Sequence, residues 1–156
     1  MCENDQVPEN CGESQTLGAI IVAAGRSLRM GGQDKILAPL LGRPLVLWSL
    51  KVFNDSAEVT AIVLVVSREN IERSRRLVEE HDMHKVTDVC AGGERRQDSV
   101  RRGLEAMQDT VWTVVHDGAR PCVDAAMITR GLEAARGQGA AVAAVPVKDT
   151  IKVAGP

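Results

Sequence analysis

An α/β architecture, a doubly wound, mostly parallel sheet with helices on both faces, is the fold class this sequence predicts, on three observations. Apolar, β-branched runs recur at Ala19–Val22, Ala61–Val66, Val111–Val115 and Ala140–Val145, with Val86–Cys90 a weaker fifth, and they lack the strict alternation of a half-exposed strand. Stretches of helical period lie between them, and strands alternating with helices imply parallel crossovers. No internal repeat or low-complexity linker divides the 156 residues, a length that suits one domain with a sizeable core.

Residues 1–16, MCENDQVPENCGESQT, are polar, acidic and without periodicity, which predicts a disordered tail. Ala19–Val22 then runs into a loop, Ala24–Lys35, that carries three glycines and the cations Arg26, Arg29 and Lys35. Glycines let backbone N–H groups approach an anion, and the cations supply charge that a structural turn does not require. The segment by itself is also compatible with a tight turn bearing solvated arginines. Leu45–Phe53 and Ile71–Glu80 read as helices flanking the Ala61–Val66 strand. After Val86–Cys90, one helical face holds Val100, Leu104 and Met107; after Val111–Val115, another holds Met127, Ile128, Leu132 and Ala135 behind a cap at Asp124.

Composition narrows the partners. One Phe, two Trp and no Tyr argue against a stacking platform for single-stranded nucleic acid. The net charge is −2, but Glu3, Asp5, Glu9 and Glu13 precede every Lys and Arg, so the remainder carries 19 bases against 17 acids. That weak positive excess suits small anions better than a nucleic-acid polymer. Cys2, Cys11, Cys90 and Cys122 form no C-x-x-C pair and the N-terminus has no signal-like segment, which reads as a reduced, cytoplasmic protein. No uninterrupted apolar run reaches the ~18 residues of a membrane span. The H-x-x-H pair His81 and His84 has no third ligand candidate beside it and reads as an exposed helix end.

In a doubly wound sheet, ligands bind beyond the carboxyl ends of the strands where strand order reverses. Four predicted strand ends carry glycine, arginine, Asp or Thr: Ala24–Lys35, AGGERRQDSV (91–100), VHDGARP (115–121) and VPVKDTIK (145–152). Asp117 sits rigidly after its strand and is placed either to ligate a hard cation or to cap a turn; Arg120 nearby tilts the reading toward cation and phosphate. His116 reads as structural. In AGGERRQDSV, backbone N–H groups and the Ser99 hydroxyl can read a base or ribose, or Gly92 and Gly93 can form an ordinary turn with a cap at Asp98 or Ser99.

In this order and at this separation, AAGRSLRMGGQDK, AGGERRQDSV, VHDGARP and PVKDTIK resemble the motifs of the 2-C-methyl-D-erythritol 4-phosphate cytidylyltransferase family, over residues 18–156. The resemblance implies a Rossmann-like nucleotidyltransferase domain over residues 17–156, cut short at its C-terminus. It implies transfer of CMP from CTP to a polyol phosphate with release of pyrophosphate, with Mg²⁺ required, in the non-mevalonate isoprenoid pathway. By motif position, Ala23, Ala24 and Gly25 line the nucleotide, while Arg29 and Lys35 stabilise the pentavalent transition state. Gly93, Glu94 and Ser99 take the cytidine-pocket positions. Asp117 matches the metal and substrate aspartate, Arg120 accompanies it, and Thr150 falls where the family contacts the polyol phosphate.

Ser27, Asp34 and Gly118 depart from the residues frequent in the family, which has a second glycine, a proline and an alanine there. Asp34 sets a negative charge beside Lys35. Family members also continue through an arm that swaps into a partner subunit and supplies an arginine, then a later lysine, so a homodimer is expected if that arm is present. Two alternatives accompany this reading: the same chemistry on ribitol 5-phosphate or with another nucleotide, and a non-catalytic nucleotide-binding module. A dinucleotide-dependent dehydrogenase fits poorly, because the loop lacks G-x-G-x-x-G order.

Overall fold

The computed structural model describes residues 16–25, 35–107, 109–146 and 148. The elements run β1 (Leu17–Ala23), a 3₁₀ turn at Lys35–Leu37, a small antiparallel hairpin of β2 (Pro39–Leu40) and β3 (Arg43–Pro44), α1 (Leu45–Asp55), β4 (Val59–Val66), α2 (Ile71–Glu80), β5 (Val86–Ala91), α3 (Arg96–Ala106), β6 (Trp112–Asp117) and α4 (Ala125–Gln138). The main sheet is parallel throughout, in the order β5-β4-β1-β6. The chain lays β1, β4 and β5 outward in one direction, then α3 carries it back across the sheet to β6 on the other side of β1. Strand order therefore reverses beside β1, and the crevice between the carboxyl ends of β1 and β6 is the switch point.

Burial follows from this order. β1 and β4 lie between other strands with helices on both sides, so nearly all their residues are buried, whereas β6 at an edge alternates between half-buried and exposed. Ala19, Ile21, Ala23, Ile62, Leu64 and Val66 face one layer, with Val46, Leu50 and Phe53 of α1, Leu77 of α2, and Ile128 and Leu132 of α4. Ile20, Val63 and Val65 face the other, against Ala106 and Met107 at the end of α3. Both faces are thus covered, as the sequence predicts. In α1 the apolar positions 46, 47, 50 and 53 form one stripe, and each fully buried side chain of this size contributes ~1.5–3 kcal/mol. At α4 the Asp124 carboxylate accepts the Met127 amide hydrogen at 2.6 Å, so the expected cap is formed.

One predicted element is absent. Residues 140–146 form no strand, and Val142 and Val145 are 88% and 84% exposed. A β-branched run becomes a strand only where a neighbour supplies the hydrogen-bond ladder, and among the described residues no strand pairs with it. The predicted Val111–Val115 strand runs as Trp112–Asp117, and the Val111 and Trp112 N–H groups both bond the Thr16 carbonyl at 3.1 Å. The expected 1–16 tail falls outside the described residues but for Thr16. Among the described residues, no helix is long and apolar enough to cross a membrane, and Cys90 and Cys122 are free thiols.

Candidate active site

At the end of β1, Ala23 is buried, Ala24 half-buried and Gly25 exposed, so the chain emerges from the sheet within three residues. Two other strand ends close on that turn. On one side stands the β5–α3 turn: a Cβ on Gly92 would collide with the Ala24 methyl, and a Cβ on Gly93 would collide with the Asp98 side chain. Glycine is therefore dictated by close approach at both positions. On the other side, Gly118 N–H donates to the Val22 carbonyl at 2.8 Å and draws the end of β6 against β1.

The β5–α3 turn is held by its own helix. The Gly93 N–H donates to Ser99 Oγ at 3.1 Å, and Ser99 is only 3% exposed. Asp98 accepts the Arg95 amide hydrogen at 3.1 Å, which caps α3 one turn earlier than a cap at Asp98 or Ser99 would. Arg102 donates to the Ala91 and Gly92 carbonyls at 3.2 and 2.6 Å. Of the two readings that this segment allows, the serine hydroxyl here shapes the glycine turn, leaving Glu94 exposed at its rim.

Asp117 ends β6 and its side chain is 31% exposed. Arg96 donates from Nε and Nη2 to Oδ1 at 3.0 and 2.9 Å, and Arg120 donates from Nε to Oδ2 at 2.9 Å. Partial burial alone would raise the carboxyl's pKa, but these bonds and the two positive charges outweigh it and hold it below the usual carboxylate value. His116 turns inward: Nε2 lies 3.1 Å from the Arg120 carbonyl and 3.3 Å from Ser49 Oγ, and the ring centroid is 5.1 Å from that of Phe53. Burial lowers its pKa, and these inward contacts make its place structural.

Lys35 opens the 3₁₀ turn and is exposed, while Ile36 and Leu37 behind it are buried, so two apolar anchors fix where the ammonium starts. The structure thus gathers Ala23, Ala24, Gly25, Gly93, Ser99, Asp117 and Arg120 around one switch point. Arg29 and Thr150 lie outside the described residues, as do Arg26, Ser27 and Asp34. Two residues without an assigned role in the sequence reading belong to this frame, Arg96 and Arg102. Arg96 stood inside the AGGERRQDSV motif, but its partner is 21 residues away and on the opposite edge strand.

Among the described residues, no three His, Cys, Asp or Glu side chains converge as a metal cluster. Asp117 still fits Mg²⁺, which often takes one or two carboxylates and completes its shell with phosphate and water. Its oxygens are hard donors, and of the carboxylate's roughly four lone-pair positions the three arginine bonds leave one, on Oδ2, for a cation.

A sequence model of the 2-C-methyl-D-erythritol 4-phosphate cytidylyltransferase family matches residues 17–156. The chain is 52% identical over 143 residues to the 2-C-methyl-D-erythritol 4-phosphate cytidylyltransferase of Dehalococcoides mccartyi, a match covering 92% of this chain and 63% of that protein. It is 44% identical over 137 residues to the enzyme of the same name from Shouchella clausii, covering 87% and 60%. Among solved structures, a 4-diphosphocytidyl-2C-methyl-D-erythritol synthase superposes with a TM-score of 0.71 at 25% identity, covering 92% of this chain and 66% of the other. The chain spans slightly under two thirds of the length of these curated relatives.

Proposed function

Because the chain belongs to the 2-C-methyl-D-erythritol 4-phosphate cytidylyltransferase family, we propose that it transfers CMP from CTP to 2-C-methyl-D-erythritol 4-phosphate. A phosphate oxygen of the polyol phosphate attacks the α-phosphorus of CTP. The new P–O bond forms as the bond to the β-phosphate oxygen breaks, and pyrophosphate leaves with the electron pair. The observation that carries this reading is the convergence of the Ala23–Gly25 turn, the Gly93–Ser99 turn and the Asp117–Arg120 pair at a single switch point.

The residue types suit the chemistry. A phosphomonoester has its second pKa near ~6 and is largely dianionic at neutral pH, so the nucleophile needs no general base. The inward-facing His116, engaged with the Arg120 carbonyl and Ser49, agrees with that economy. The barrier lies in bringing two anions together, which calls for positioning and fixed positive charge. Lys35 serves as a compact point charge and Arg29 as a phosphate fork. Gly93 and Glu94 hold the cytidine on the turn that Ser99 shapes, Asp117 and Thr150 contact the polyol phosphate, and Arg120 accompanies Asp117. Asp117 would hold Mg²⁺, which neutralises phosphate charge when bound.

A homodimer belongs to the same proposal, through the arm that the family resemblance implies. A cytoplasmic setting is supported by the free Cys90 and Cys122.

The test is pyrophosphate release by the 156-residue chain with CTP, Mg²⁺ and 2-C-methyl-D-erythritol 4-phosphate, with ribitol 5-phosphate in parallel. Release with the erythritol substrate alone supports the proposal. Release with ribitol 5-phosphate alone replaces the alcohol, and CTP binding without release by either overturns the catalytic reading in favour of a nucleotide-binding module.

A further inference from the structure

We propose that Arg96 is a positioning residue, acting on the reaction through Asp117 by fixing the orientation of its carboxylate across the end of β1. This rests on the cytidylyltransferase reading above and adds a residue to which that reading gives no part.

The two partners come from opposite edges of the sheet. Arg96 begins α3 directly after the β5 turn, Asp117 ends β6, and β4 and β1 lie between those strands. Their ion pair therefore links the two turns that flank Ala23–Gly25. Both Nε and Nη2 of Arg96 converge on the single oxygen Oδ1, while Arg120 takes Oδ2. With a different guanidinium on each oxygen, rotation of the carboxylate breaks a charge-assisted bond.

The two arginines differ in what anchors them. Arg120 lies three residues beyond Asp117 on the same turn, and its N–H bonds the Asp117 carbonyl at 3.0 Å, so it moves with the group it contacts. Arg96 sits on α3, whose first turn is tied down by Asp98 on the Arg95 amide and by Ser99 on the Gly93 amide, and whose Arg102 grips the Ala91 and Gly92 carbonyls. Arg96 therefore refers the carboxylate to the rigid helix beside the proposed cytidine pocket. An exposed pair of this kind adds little to stability, so orientation is the property it governs.

The experiment compares wild type, R96A, R96K, D117N and the R96A/D117N double variant. Folding is checked by cooperative thermal unfolding; should R96A not fold, R96Q, which keeps the stem and one amide donor, replaces it. The ¹³C carboxyl resonance of Asp117, assigned by its loss in D117N, reads the contact without any turnover. It is expected to move in R96A. With CTP, Mg²⁺ and the polyol phosphate, R96A is expected to lose about 10-fold to 100-fold in kcat/KM for the polyol phosphate, the scale of effect that a small misplacement produces. CTP affinity, measured by calorimetric titration, is expected to change less than about threefold, since the Gly93–Ser99 contact is untouched. R96K is expected to recover part of the loss, and the double variant to be no worse than D117N, because both single changes disable one unit.

An unmoved resonance, near-normal kcat/KM in R96A, or losses that multiply in the double variant overturn the proposal while leaving the function in place. A folded wild type that releases no pyrophosphate overturns the functional reading, and the role of Arg96 in that reaction with it.

Discussion

Ser99 accepts the Gly93 amide hydrogen at 3.1 Å from a position only 3% exposed, so a side chain on α3 shapes the turn that precedes its own helix. Removing the hydroxyl leaves the Gly93 N–H without that acceptor. S99A is expected to lose about 1 kcal/mol of stability, the usual net worth of such a bond, and to weaken CTP binding more than polyol phosphate binding. Urea titration and CTP calorimetry measure the two effects. Unchanged CTP affinity would remove Ser99 from the nucleotide site.

The contact between Gly92 and Ala24 sets a second expectation. A methyl group on Gly92 collides with the Ala24 side chain, so G92A must displace the turn after β1 or the turn after β5. Overpacking of this kind costs about 1–3 kcal/mol. Gly131 in α4 provides the contrast, because a Cβ there meets nothing within 4 Å and alanine favours the helix. G131A is expected to gain about 0.5–1 kcal/mol. Equal denaturation midpoints for the two variants would contradict the crowding at Gly92.

Lys35 is exposed and placed by its buried neighbours, so K35A should fold like wild type. If its ammonium stabilises the transition state, kcat falls on the order of 10²-fold or more, by analogy with the loss of one preorganised oxyanion donor. Steady-state pyrophosphate release measures this, and near-normal turnover in K35A ends that role.

Stability should depend on pH through His116. Burial depresses its pKa below the ordinary 6.5, against the opposing effects of the Arg120 carbonyl and the Asp117 charge; the Arg120 charge adds to the depression. The unfolded chain therefore takes up a proton more readily than the folded one. The stability that follows is complete above about pH 6.5 and is lost as pH falls through that value toward the folded pKa. The Asp117 carboxyl, held below 3.8 in the folded state, acts in a separate window at lower pH. Urea midpoints for wild type and H116Q between pH 7.5 and pH 5 check the first window. Wild type should lose the more on acidification; parallel losses would assign the effect to another group.

Much of the site was legible because its parts lie at strand ends. β-branched runs locate β1, β4, β5 and β6, and residues just past such runs stand at one end of a parallel sheet whatever the strand order. That places Ala24, Gly93 and Asp117 together before any coordinates exist. Ala140–Val145 was misread for the complementary reason, since its composition matches a strand but pairing depends on a neighbour that local sequence does not specify.

By itself, then, the sequence determined the parallel α/β class, the helical span of α1, the Ile128 and Leu132 face of α4, the cap at Asp124, and the family, all of which are written in local periodicity and short motifs. Tertiary structure alone decided that Arg96 meets Asp117 across two intervening strands, that Ser99 is spent on the Gly93 turn, and that His116 points inward at Phe53. Those contacts depend on the crossover of α3 and on which strands become neighbours. They are properties of how distant segments pack, and no window of neighbouring residues encodes them.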